Sequence, residues 1–151
     1  MEEHATALAD AIEAAVPGWV ERSVTRTAGE YFGHVDPAVR AAATDAGQRA
    51  RADVAPRVRA LLESDIDEQR TTPLSLLRDA VRYPTGVLRD AGVPPVERDE
   101  AQARLFPDDV YDLAPATFAD VDPSLIDVGL AWGAAKAFVH RQRHGKDAAR
   151  R

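Results

Sequence analysis

The chain has 151 residues and a net charge of −6, which suits one compact domain of ordinary size. It has no cysteine, which excludes a disulfide framework, a thiol nucleophile and a cysteine-held zinc site. No apolar run approaches the roughly 18 residues of a membrane-spanning helix. The acidic start Met1-Glu2-Glu3-His4 lacks the basic region of a secretory signal, so the expected compartment is the cytoplasm.

The apolar fraction is 45%, but 29 of those residues are Ala and 15 Val, against 11 Leu and 3 Ile. A core of this make-up brings helix backbones close together rather than filling space with bulk. Arg outnumbers Lys by 17 to 2 and Asn is absent, a composition expected of a GC-rich, bacterial genome and without functional meaning. Charge is uneven along the chain. Residues 96–135 carry a net −7 and residues 136–151 a net +5. Cations at the end of the last helix suit its negative pole, and they also suit nucleic acid or an acidic surface of this chain or another.

Taken in order, residues 3–16 read as a helix with Leu8, Ala11, Ile12 and Ala15 on one face. Pro17-Gly18 is expected to end it. A second helix is expected from there to Tyr31, although Ser23-Val24-Thr25 also suits a strand. Asp36-Pro37 is a strong start, with a capping carboxylate before a proline in the first turn. Val39, Ala43, Ala46, Ala50 and Val54 continue from it as an alanine-lined stripe. Pro56 either kinks or breaks this helix before Ser64.

Ser64 to Arg70 reads as a polar linker. Thr72-Pro73 starts a short helix to Arg82, and Pro84 another through Leu88 to a cap at Gly92. Glu97 to Leu105 reads as helix and Asp108 to Leu113 as one helical turn. Ala114 to Val121 reads as a packed loop. Asp122-Pro123 starts the last helix, to about His144. It is apolar nearly all round from Val128 to Val139, which predicts a place at the centre of the bundle. The expected fold is all-α, a compact irregular bundle of five to seven helices with a buried C-terminal helix. Residues 1–144 would form a single domain and 145–151 a basic, disordered tail.

No complete catalytic constellation stands out. Asp108, Asp109 and Asp112 cluster beside Tyr111, and on one turn Asp108 and Asp112 would share a face. Such a cluster would bind a small molecule or a cation, with Trp132 near the pocket, yet acids after Pro107 also simply suit a first helical turn. His140 and His144 are one turn apart, but the surrounding arginines repel a metal, so no metal site is assigned. Thr72 to Val93 has the outline of a helix-turn-helix. Arg82, Thr85 and Arg89 would then contact DNA, although Asp79 and Asp90 lie in the same elements.

The leading expectation is a non-enzymatic interaction or regulatory module with a protein partner or self-association, no cofactor and no membrane. The alternatives are a DNA-binding regulator using 72–93, and a small-molecule-binding bundle or enzyme with an acidic site at 108–112.

Overall fold

The computed structural model describes residues 2–64 and 71–149, with backbone alone from residue 146. Residues 65–70, most of the expected polar linker, lie outside the described residues, as do Arg150 and Arg151. The described residues hold seven helices and no strand, so the fold is all-α.

Helix α1 (Glu2–Phe32) and helix α2 (Pro37–Glu63) form an antiparallel hairpin closed by a four-residue turn. Gly33 takes a left-handed φ of 77° there, which a residue with a Cβ adopts at a cost. One correction to the sequence reading concerns proline. Helix α1 does not stop at Pro17-Gly18, and the strand alternative at Ser23-Val24-Thr25 is not taken, because all of these residues lie inside α1. Helix α2 likewise runs through Pro56 unbroken.

An interior proline forfeits one hydrogen bond, about 3 kcal/mol. Packing around Pro17 offsets it. Val16, Trp19 and Val20 beside it are buried, each worth about 1.5–3 kcal/mol when fully covered. Helix α2 crosses at this point with Gly47 against the proline. A Cβ on Gly47 would stand 3.0 Å from the Pro17 carbonyl oxygen and 3.1 Å from its Cα. Ala43, Ala46 and Ala50 continue the buried small-residue face. The alanine stripe therefore makes the close helix contact its composition implies.

Arginines clip the hairpin from outside. Arg59 reaches Asp10 and Glu13, both at 2.6 Å, and Arg51 reaches Glu13 at 3.3 Å. Hydrogen bonds from Arg59 and Arg51 hold the Glu13 carboxyl below its ordinary range. In solvent such pairs contribute little stability; they fix the register of α1 against α2.

Asp36 caps α2 by accepting from the Ala38 amide at 3.0 Å. Thr72 and Ser75 form a reciprocal capping box at the start of helix α3 (Pro73–Asp79). Helix α4 (Arg82–Asp90) packs against α1 and α2. It ends as the sequence indicates, with Gly92 at φ 84°. The Gly92 amide donates to the Arg89 carbonyl and the Val93 amide to the Leu88 carbonyl, both at 3.0 Å. Leu88 and Val93 are both buried beside this double closure.

Helix α5 (Glu100–Leu105) buries none of its residues. Helix α6 (Phe118–Val121) is a single turn that leads into helix α7 (Leu125–Ala149). Phe118 lies on Gly129, where a Cβ would meet its ring at 2.8 Å. Helix α7 lies antiparallel along α1. Arg22 of α1 donates to the Val121 carbonyl at 2.6 Å just before α7, while Val139 and Arg143 line a cavity with Glu2, Ala5 and Ala9 at the other end.

The centre of the bundle belongs to α1, not to the C-terminal helix. Leu8, Ile12, Val16, Val20 and Val24 are wholly buried, with α2, α4 and α7 against α1. Helix α7 buries one face only, through Leu125, Gly129 and Trp132. It also continues past His144 to Ala149, so residues 145–149 of the expected tail are helical.

Candidate functional site

The acidic cluster at 108–112 sits in a turn, not on a helix, and its members separate. Asp109 is 4% exposed. Its carboxylate accepts from the Leu113 amide at 2.7 Å and the Ala114 amide at 2.9 Å. Both oxygens are thus occupied by the loop that carries them. Tyr111 is also buried and donates its hydroxyl to the Val93 carbonyl at 2.6 Å. Burial pushes its pKa up. These two residues tie the 106–114 loop to itself and to the end of α4.

Asp108 and Asp112 are exposed and face different clefts. Asp108 lines a cleft of about 370 Å³ with Arg57, Arg78, Arg82, Asp79 and Phe106. Asp112, with a left-handed φ of 57°, lines another of about 700 Å³ with Trp19, Arg22, Arg26, Arg40 and Asp120. The structure therefore brings Asp108, Asp109 and Arg82 to one cleft and sends Asp112 to the other.

Most arginines near the first cleft already have partners. Arg78 donates to the Pro115 carbonyl at 2.9 Å and to the Ala116 carbonyl at 3.3 Å. Arg82 reaches Asp53 at 2.6 Å, and the Tyr83 hydroxyl donates to the same carboxylate at 2.9 Å. Arg57 bridges Asp53 and Asp79 at 3.7 and 3.5 Å. Burial raises the Asp53 pKa, but the hydrogen bonds from Tyr83 and Arg82 outweigh it and leave the carboxyl below its ordinary range. Of these arginines the DNA reading takes Arg82 alone, as free charge. The bonds of Arg78 to backbone carbonyls and of Arg82 to Asp53 depend on the tertiary fold, whereas the Asp53–Arg57 pair, four residues apart on α2, is legible as local spacing.

The residues of the helix-turn-helix reading are spread over a packed element. Arg82 is engaged as above. Thr85 is 3% exposed, so its hydroxyl lies out of reach of a phosphate, and Oγ1 has no hydrogen-bond partner. Arg89 is exposed on the last turn of α4. Trp132 is buried in the core and lines neither cleft, with Nε1 unpartnered and the Lys136 ammonium 5.1 Å from its ring centre. The His140 and His144 rings stand 4.2 Å apart. Among the described residues no group of three or more His, Asp or Glu is placed to hold a metal ion, and no helix is long and apolar enough to cross a membrane.

The feature that sequence reasoning missed is the outer face of α7. Leu130 is 68% exposed, Phe138 56% and Ile126 42%. Ala131, Ala134 and Ala137 between them are exposed as well. The signal was present as a helical spacing, with Leu130, Ala131, Ala134, Ala137 and Phe138 falling on one face. Such spacing keeps one stripe of a helix facing a partner helix. No family model, curated protein or solved structure matches this chain.

Proposed function

We propose that the chain is a non-enzymatic interaction module whose working surface is the outer face of α7. The observation that carries this reading is the bare apolar stripe of Ile126, Leu130 and Phe138 on a helix otherwise fixed to the bundle. Leaving large apolar side chains in water forfeits about 1.5–3 kcal/mol each, which a protein partner recovers. The acidic stretch before this helix and the basic residues of its C-terminal half give such a partner a direction in which to lie.

The test is a photo-crosslinking benzophenone residue placed at Leu130 in cells that naturally make the protein, with Arg104 on exposed α5 as the control. A discrete protein adduct from position 130 and none from position 104 is the expected result. No adduct from position 130 would contradict the reading.

A small-molecule site is a second reading, favoured by the larger cleft. Arg26 and Arg40 line it, and among the described residues neither has an ion-pair partner. Two guanidiniums without ion-pair partners suit a small anion, although Asp112 and Asp120 share the cleft with them. Calorimetric titration with phosphate and citrate tests this: heat of binding that disappears in Arg26→Ala and Arg40→Ala supports it, and no heat with either anion removes it.

A further inference from the structure

The order of residues on the bare face of α7 indicates what covers it. At 100° per residue the exposed positions centre on Ala134. Within seven residues of Ala134 the two directions match in kind, while the next exposed pair, Ile126 and Gln142, does not. Ala131 and Ala137 come first, then Leu130 and Phe138, then Asp127 and Arg141, all of them exposed. The face is a palindrome in size, with opposite charges at its two ends.

We propose that a second copy of this chain packs its α7 antiparallel against this one, with the two-fold axis at Ala134. This rests on the reading of α7 as the docking surface and names its occupant. The symmetry is that of an isologous dimer, in which each contact occurs twice. In this register Asp127 stands level with Arg141 of the partner subunit, and Arg141 with Asp127 of the partner subunit. Leu130 lies against Ala137 of the partner subunit, and Phe138 against Ala131 of the partner subunit, so large side chains meet small ones. The alanines at the centre let the backbones approach closely.

Two observations favour a second copy over an unrelated helix. Among the described residues, neither Asp127 nor Arg141 has an ion-pair partner within its own chain, although seven of the chain's arginines do. The self-complementary order also sets the direction. A parallel pair would place Asp127 against Asp127 of the partner subunit and Arg141 against Arg141 of the partner subunit, which opposes association at both ends. The antiparallel pair satisfies both charges and sets the helix dipoles head to tail.

Sedimentation equilibrium on the full chain tests this with four variants. Wild type should dimerise. Asp127→Arg and Arg141→Asp should each weaken the dimer about tenfold or more, since each turns two attractions into repulsions. The double variant Asp127→Arg/Arg141→Asp should recover affinity to within about threefold of wild type. Leu130→Glu should be monomeric. All three positions are solvent-facing in the monomer, and circular dichroism at dilution should show an unchanged fold.

A wild type that stays monomeric at about 100 μM overturns the proposal. So does a dimer indifferent to the single charge reversals, or one the double reversal does not restore. The benzophenone at Leu130 separates this failure from that of the broader reading. An adduct at twice 16.4 kDa supports self-pairing. An adduct with a different protein overturns self-pairing while leaving α7 a docking surface, and no adduct removes both.

Discussion

Helices α1 and α7 are alike in composition and opposite in situation. Both are long and alanine-rich, and each carries one tryptophan. Helix α1 has α2, α4 and α7 around it and buries Leu8, Ile12, Val16 and Val20 completely. Helix α7 rests on α1 and α6, and leaves Leu130 and Phe138 more than half exposed. The contrast teaches that an apolar helix surface shows how much covering a helix needs, and not whether its own chain supplies it. In α1 the fold supplies it; for α7 we assign it to a partner.

The sharpest way to break this comparison is to truncate both helices. Ile12→Ala in α1 should cost about 2–5 kcal/mol of unfolding free energy, because it leaves a cavity in a closed core. Leu130→Ala in α7 should change it by less than about 0.5 kcal/mol, measured in urea at a concentration where the chain is monomeric. Similar losses would mean that α7 is as enclosed as α1.

The crossing of α1 and α2 offers the next largest effect. Gly47→Val puts branched carbon where a Cβ already meets the Pro17 backbone at 3.0 Å. A loss of about 1–3 kcal/mol is expected from such overpacking. A thermal melt that matches wild type would show that Pro17 and Gly47 do not touch in solution.

Asp109→Ala, away from both helices, should cost about 1–3 kcal/mol by stripping the Leu113 and Ala114 amides of their acceptor. Amide hydrogen exchange should quicken at those two residues first. Unchanged exchange would mean that the carboxylate is free and the acidic loop open to a ligand after all.

The smallest effect is acid sensitivity at the clips on α2. Glu13 and Asp53 have folded-state pKa values below their ordinary ones. Their stabilisation is fully present above the ordinary carboxylate range and is lost as pH falls through the lower folded values. The urea midpoint should hold steady from neutral pH down to about 5 and decline below about 4. Asp53→Asn should flatten part of that decline, and a midpoint that rises on acidification would contradict the ion-pair geometry.

Local chemistry was the legible part of the fold. Asp36-Pro37, Thr72-Pro73 and Gly92 mark helix ends because a cap depends on a few adjacent residues. The alanine stripe of α2 announced a close contact, though not that Gly47 would meet Pro17. Pro17-Gly18 misleads because the bond lost at a proline is a local cost, while the burial that offsets it comes from another helix. The acidic cluster was legible as a cluster only. Which of Asp108, Asp109 and Asp112 turns inward depends on the Leu113 and Ala114 amides, whose positions the spacing does not reveal. The apolar girth of α7 reads as burial, because periodicity alone does not distinguish a helix covered by its own chain from one awaiting another.

The most direct measurement uses the absence of cysteine from this chain. In an Ala134→Cys variant the single thiol would lie on the two-fold axis of the dimer, within the roughly 4.4–6.8 Å Cα separation a disulfide spans. Mild oxidation should convert it to a covalent dimer, while Ala41→Cys, exposed on α2, should stay largely monomeric under the same conditions. Equal, slow crosslinking of the two variants would contradict the pairing of α7 with itself.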